Sequence, residues 1–303
     1  MPVMDELKTS EALRCDRVVA ISGATGGIGE ALVRGYAKPN THLLLAGRNS
    51  EILARLKKEA ESFGASAEIC AFDLRDREAA EAWSTHAAKK GAEVFILCAG
   101  VSASVEAQSM DSGSSERTLY LPERQLDLQR ELEVNAVGNI LSGNAFARAV
   151  LQLRRQSQEV SEPKTRRIVF ISSLAALTGL AGSPGYSASK AALRTYGEAL
   201  RRLLHGQGIG VTVIFPGYVE SNMSQRYVGS KPWLMPADAA AKKIIAAIEA
   251  GRSEYAFPWI LAFGIRLLNL IPRVMQNFFL KGFFFTVVPD AESRTNRKNN
   301  NEK

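Results

Sequence analysis

The sequence is poor in the residues that build disulfide frameworks and metal sites. Its 303 residues include three cysteines and three histidines. Cys15, Cys70 and Cys98 are widely spaced and odd in number, which suits neither a set of disulfides nor a zinc site. His42, His86 and His205 have no companion ligand at coordinating spacing, so no metal is expected. This cysteine usage fits a reducing, cytoplasmic setting. No apolar run follows a basic end in MPVMDELKTSEALRCDR, so no secretory signal is expected. A net charge of +7 raises nucleic acid as a partner, but no block of Lys and Arg interleaved with aromatics occurs. From Arg252 onward eight basic residues stand against four acidic ones, so part of the excess is local to that end. Nucleic acid is therefore not expected.

What is present is a regular alternation. RVVAIS (17–22), HLLLAG (42–47), AEICAFD (67–73), EVFILC (93–98), RIVFIS (167–172) and GVTVIF (210–215) read as strands buried on both faces. Helical patterns occupy Ile28–Ala37, Glu51–Phe63, Arg77–Lys90, Arg124–Leu153, Ser187–Leu204 and Ala237–Ala250. Strands alternating with helices imply right-handed βαβ units and a doubly wound parallel sheet of α/β class. A seventh short strand is expected near Glu254–Phe257. One domain over 15–258, a helical extension over 259–288 and a disordered polar tail over 289–303 complete the expected organisation. Two polar stretches, 102–117 and 154–167, are expected to be mobile surface loops.

The first strand runs directly into SGATGGIGEALV, which places Gly23, Gly27 and Gly29 at a strand-to-helix turn. Glycine there lets main-chain N–H groups approach a pyrophosphate at the helix N-terminus, although a purely structural turn has the same composition. At the end of the second strand, Gly47 stands where an acidic residue would grip the ribose hydroxyls of NAD. Arg48 follows, and a guanidinium there can pair with a 2′-phosphate or simply be solvated. NADP is expected ahead of NAD. Asp73 would sit beside the adenine or cap the following helix.

GYSASKAAL (185–193) sets Tyr186 and Lys190 at i and i+4, on one helix face. Taken alone, such a pair is weak evidence. A free phenol has a pKa of about 10, so an adjacent ammonium that favours phenolate would bring it toward useful proton transfer.

Six motifs in order carry a resemblance: SGATGGIG, CAG at 98–100, Asn135 in EVNAVG, ISS at 171–173, YSASK at 186–190 and PGYVES at 216–221. Together they resemble the short-chain dehydrogenase/reductase family over about residues 17–250. The resemblance implies a single-domain Rossmann-type fold and a catalytic set falling on Tyr186, Lys190, Ser173 and Asn135. It also implies cofactor contacts at Gly23, Thr25, Gly27, Ile28, Gly29, Arg48, Asp73, Leu74, Cys98, Ala99 and Gly100. Tyr186, Lys190, Pro216, Gly217, Val219 and Ser221 complete that cofactor set. Tyr186 would serve as general acid/base, Ser173 would orient the substrate oxygen, Lys190 would hold the nicotinamide ribose, and Asn135 would support a water-linked proton path. The implied activity is interconversion of a ketone and a secondary alcohol. A 3-oxoacyl-thioester reductase and a catalytically idle nucleotide-binding scaffold are the alternatives. The family has asparagine where this chain has Cys98, which puts cofactor positioning in doubt, and homo-oligomers are common in it.

The segment YVESNMSQRYVGSKPWLMP (218–236), which the resemblance implies is a lid over the substrate, carries Tyr218, Met223, Tyr227, Trp233, Leu234 and Met235, which suits an apolar, lipid-like small molecule or ordinary packing. Arg266, Arg273 and Lys281 interrupt the apolar runs of 255–289, so none reaches the about 20 residues needed to span a bilayer. That segment is expected either to contact a membrane surface as an amphipathic helix or to pack on a subunit or the substrate pocket. Pro272 is expected to kink it or divide it in two.

Overall fold

The computed structural model of the protein describes residues 16–110, 117–156, 165–272, 276 and 286–288. The elements run β1 (Arg17–Ser22), α1 (Gly27–Tyr36), β2 (Thr41–Gly47), α2 (Ser50–Ser62), β3 (Ser66–Ala71), α3 (Arg77–Lys89) and β4 (Val94–Leu97). Then come β5 (Glu106–Met110), β6 (Arg117–Leu121), α4 (Gln125–Glu131), a π-helical stretch (Leu132–Gly138) and α5 (Asn139–Gln156). The second half holds β7 (Arg166–Ile171), a 3₁₀ turn (Leu174–Ala176), α6 (Pro184–Leu203), β8 (Ile209–Pro216), α7 (Asn222–Gln225) and β9 (Tyr227–Val228). It ends with α8 (Ala237–Glu249), β10 (Glu254–Phe257), α9 (Trp259–Leu268) and β11 (Thr286–Val287).

Seven strands form one sheet in the order β10-β8-β7-β4-β1-β2-β3, and every pairing in it is parallel. Both faces are covered, as a parallel sheet requires. Val19, Ile21, Leu43 and Leu45 pack with α1, α2 and α8 on one face. Ala20, Leu44, Phe95 and Leu97 pack with α3, α5 and α6 on the other. There Phe146 stacks on Phe95 with ring centroids 4.3 Å apart, and the Trp83 ring lies 5.0 Å from Phe95 at a tilt of 36°. The strand order reverses between β4 and β1, so the C-terminal strand ends open a crevice at that point.

Four expectations need correction. The stretch 102–117 is not simply a loop: β5 and β6 pair antiparallel from Glu106↔Leu121 to Met110↔Arg117. A ribbon off the main sheet can be built from polar residues, so its Ser-rich composition masked it. The helix expected over 124–153 is broken by the π-helical stretch, because the Asn139 side chain donates to the Val134 and Asn135 carbonyls. Asp73 does not cap α3; Asp76 does, accepting from Ala79 N–H at 3.1 Å. The extension is not helical to its end. α9 stops at Leu268, ahead of Pro272, and Thr286–Val287 form a strand paired antiparallel with Tyr227–Val228. Cys15, Arg273, Lys281, most of 154–167 and the tail 289–303 lie outside the described residues.

Candidate active site

The crevice is a cavity of about 970 Å³, and the glycine turn forms one end of it. Gly23 has φ +65°, and a Cβ built on it would lie 2.5 Å from the Ala99 nitrogen. The chain after β4 thus passes directly over the turn, and only glycine fits. A Cβ on Gly27 would lie 2.7 Å from the Ser221 Cβ, so the segment after β8 closes in from the other side. Helix α1 begins here at Gly26 with no side-chain cap, leaving its first N–H groups directed at the cavity. A narrow cleft with uncapped helix N–H groups fits the pyrophosphate of a dinucleotide.

At the far rim, Arg48 Nη1 lies 3.8 Å from Asp73 Oδ2, with the Arg48 side chain 55% exposed. Asp73 is gripped by Arg75, whose Nε and Nη2 donate at 3.0 and 2.8 Å. Burial raises the Asp73 pKa, but the Arg75 bonds outweigh it and hold the carboxyl below its ordinary range. Asp73 is therefore an anion here, within ion-pair distance of the half-exposed Arg48 guanidinium.

The chemical end lies where β4, β7 and α6 meet. Tyr186 sits in the first turn of α6, and Lys190 one turn on is buried. The Lys190 ammonium donates to the Ile171 carbonyl at 3.0 Å and lies 5.7 Å from the Tyr186 ring centroid. Ser173, just past β7, lies close enough to the Tyr186 phenol to lower its pKa and accepts from Ala175 N–H at 3.1 Å. A Cβ built on Gly100 would lie 3.3 Å from both Lys190 Nζ and Asn135 Oδ1, so those two groups flank one spot.

Every sequence-predicted site residue except Asn135 lines the cavity. Asn135 lies beneath it, fully buried. Its Oδ1 accepts from Val101 N–H at 2.7 Å, and its Nδ2 donates to the Val101 carbonyl at 2.9 Å and Ser189 Oγ at 3.0 Å. Both amide hydrogens are thus engaged by the protein, which makes the side chain a clamp on the floor.

The pKa expectation is corrected. Burial, together with Tyr227, Glu131 and Cys98, pushes the Tyr186 phenol above its ordinary value, and nearby Ser173 only partly offsets this. Burial brings Lys190 down to about 8. A dry site disfavours phenolate and ammonium alike, and this ammonium is bound to a carbonyl rather than to the phenol oxygen. Burial also raises the Cys98 thiol to about 12, so it is neither a nucleophile nor a charge.

Sequence reasoning missed three features of the floor and lid. Glu131 is buried and accepts from Ala103 N–H at 2.6 Å. The Tyr227 hydroxyl donates to Ser102 Oγ at 3.2 Å. β11 is tied in as well, since Val287 N–H donates to Ser104 Oγ at 2.7 Å and Arg226 Nη1 donates to the Val288 carbonyl at 3.2 Å. The spacing of Glu131, four residues before Asn135, was the only available signal.

The glycine cradle opening onto a Tyr–Lys pair decides the family, and the comparisons agree. The short chain dehydrogenase family model matches residues 17–231. The chain belongs to the short-chain dehydrogenase family. An uncharacterized oxidoreductase of Myxococcus xanthus is 30% identical over 259 residues, covering 85% of this chain and 93% of that one. The mouse dehydrogenase/reductase SDR family member 7 is 31% identical over 215 residues, covering 69% of this chain and 57% of its own. Among solved structures, apo LigD from Sphingobium sp. strain SYK-6 matches with a TM-score of 0.65 at 21% identity. That match covers 85% of this chain and 98% of LigD. An alcohol dehydrogenase from Thermococcus sibiricus, complexed with 5-hydroxy-NADP, matches with a TM-score of 0.61 at 19% identity over 79% of this chain and 94% of its own. This dehydrogenase is accordingly an oxidoreductase of CH–OH groups that works on small molecules with a nicotinamide dinucleotide.

Replacing Gly23 by alanine combines left-handed strain with a clash against the Ala99 backbone. Fluorescence titration of Gly23→Ala with NADPH is expected to show affinity weakened by at least about tenfold; wild-type affinity would contradict the cradle.

Proposed function

We propose that the protein is an NADP(H)-dependent oxidoreductase that interconverts a ketone and a secondary alcohol on an apolar, lipid-like small molecule. The observation that carries this reading is the Tyr186 phenol, set near Ser173 and Lys190 at the junction of the glycine cradle and an apolar chamber. Leu174, Leu180, Met223, Trp233, Leu261 and Ile265 line that chamber. Walls of this kind favour a substrate whose only polar group is the reacting oxygen.

Gly23, Thr25, Gly27, Ile28 and Gly29 would hold the pyrophosphate end of the cofactor, with Arg48 directed toward a 2′-phosphate. Asp73 and Leu74 would border the adenine, and Cys98, Ala99 and Gly100 the sugar on the β4 side. Pro216, Gly217, Val219 and Ser221 would border the carboxamide. The bound nicotinamide supplies or accepts the hydride, and its oxidised ring carries a positive charge. Tyr186 donates the proton to the substrate oxygen in reduction and takes it back in oxidation. Ser173 hydrogen-bonds the same oxygen and aligns it. Lys190 places an ammonium beside the ribose and the phenol, and Asn135 holds the floor that keeps Lys190 and Gly100 together.

A 3-oxoacyl-[acyl-carrier-protein] reductase of Rickettsia conorii is 26% identical over 206 residues, which keeps thioester substrates as the second reading. Free ketones against acyl-carrier thioesters separate the two. Exposed Leu126, Leu132, Val137 and Leu141 on the α4–α5 run support packing of a second copy there.

The outer face of α9 supports contact with a membrane surface. Trp259, Phe263, Leu267 and Leu270 are exposed on one stripe, while Ile260, Leu261, Ile265 and Leu268 line the chamber. No helix among the described residues is long and apolar enough to cross a membrane, so the contact would be with the surface alone.

Three measurements follow from this reading. Tyr186→Phe is expected to lower turnover of NADPH with a reducible ketone by about a hundredfold or more; near wild-type turnover would refute the assignment. Arg48→Ala is expected to raise the KM for NADPH about tenfold while leaving that for NADH little changed, as befits loss of a charge-assisted contact. Equal shifts for the two cofactors would remove the basis for NADP preference. In flotation with phosphatidylcholine–phosphatidylglycerol vesicles, the double variant Trp259→Ser, Phe263→Ser is expected to stay at the bottom while wild type floats; identical behaviour would reject the membrane surface.

A further inference from the structure

Glu131 has no task in the reaction just described, yet its carboxyl lies in the floor of the same chamber. It precedes Asn135 by four residues, and the two side chains grip one extended segment. Asn135 takes both backbone groups of Val101, and Glu131 Oε1 accepts from Ala103 N–H at 2.6 Å. Residues four apart on a helix face one way, as do residues two apart on an extended chain. The result is a clamp with two rungs. The Ala103 carbonyl in turn accepts from Ser183 Oγ at 2.7 Å, which joins the segment to the residue just before α6.

The second oxygen of Glu131 is the informative one. Oε2 is buried and has no hydrogen-bond partner. It faces the first turn of α6, where a Cβ built on Gly185 would lie 2.6 Å away, adjacent to Tyr186. Asp127 and Arg130 face the carboxyl from its own helix, and Glu123 from the turn before it. Tyr186 and Lys190 face it from α6, and Tyr227 from the lid. The nearby Arg124 guanidinium is engaged by Asp127 at 2.9 Å and Glu106 at 3.5 Å. A carboxylate here would thus combine two acidic neighbours with an unbonded oxygen, an arrangement that favours the uncharged form.

We propose that Glu131 is a positioning residue of the catalytic centre, holding the floor segment Val101–Ala103 in register with α6 as a neutral carboxylic acid. The proposal rests on the reading of Tyr186 and Lys190 given above. Burial, reinforced by Glu123 and Asp127, raises the carboxyl to about 8, even against the Ala103 bond and Arg130. Ionisation would add a negative charge beside Tyr186 and make its phenol a weaker acid. Keeping the group protonated at neutral pH therefore leaves Lys190 as the charge that Tyr186 meets.

The test compares wild type with Glu131→Gln and Glu131→Ala. In the unfolded chain a glutamic acid releases its proton near pH 4 (about 4.3), whereas the folded protein holds this one to about 8. The stabilising contribution is therefore complete below the lower value and lost as pH rises to the upper one. The Tm of wild type is expected to fall relative to that of Glu131→Gln across this interval, the gap becoming constant above it. Parallel curves would overturn the neutral carboxyl. Amide hydrogen exchange reads the positioning role without any substrate. Exchange at Ala103 is expected to stay wild type in Glu131→Gln, which keeps an acceptor, and to accelerate by about tenfold in Glu131→Ala. Equal protection in both variants would overturn the clamp. On a ketone that wild type reduces, Glu131→Gln should keep kcat at pH 7 while Glu131→Ala loses about tenfold at unchanged NADPH affinity. Should wild type reduce no ketone, the oxidoreductase reading of the chamber fails, while the pH and exchange measurements still decide on Glu131.

Discussion

Much of this site hangs on one side chain pairing with one stretch of backbone. Asn135 treats Val101 as a neighbouring strand would, accepting from its N–H and donating to its carbonyl. The parallel sheet ends at Leu97 on β4, so the chain beyond has lost its ladder and needs another source of hydrogen bonds. The amide supplies them from a helix. It can do so because the π-helical stretch turns residue 135 toward the floor, and Asn139 satisfies the carbonyls that the widened turn leaves open. The same amide donates to Ser189 on α6, which ties the floor segment to that helix.

The electrostatic design follows from dryness. Burial works against charge on Tyr186 and on Lys190, raising one pKa and lowering the other. A protein that sat permanently with an ion pair here would have to hold it against desolvation. Instead the ammonium rests on the Ile171 carbonyl, Ser173 offsets only part of the effect of burial on the phenol, and the cysteine at position 98 stays protonated. The site is close to neutral apart from one lysine. Charge on the reacting ring of a bound dinucleotide would therefore act in surroundings with little to screen it.

The parts of this molecule legible in its sequence are those governed by short-range rules. Strands buried on both faces read as apolar runs, and β1, β2, β7 and β8 lie within a residue or two of their expected positions. The glycine turn follows a strand and opens a helix, so its place in the crevice was visible, as was the one-turn spacing of Tyr186 and Lys190. Glu131 was not visible, because a glutamate in the charged run RELE resembles a solvated helix face. Its burial depends on β4 continuing past the sheet and over α4. The β5–β6 ribbon was hidden for a related reason, since strands outside the main sheet need no apolar face. The return of β11 to β9 pairs residues far apart in the chain, which no local pattern announces.

That long-range pairing makes the far end of the chain part of the lid. The glycine turn and α6 lie ahead of residue 204, while one edge of the lid meets its partner strand only at Thr286–Val287. A chain cut before Thr286 would keep every described residue that lines the cavity and lose the strand that backs Tyr227 and Val228.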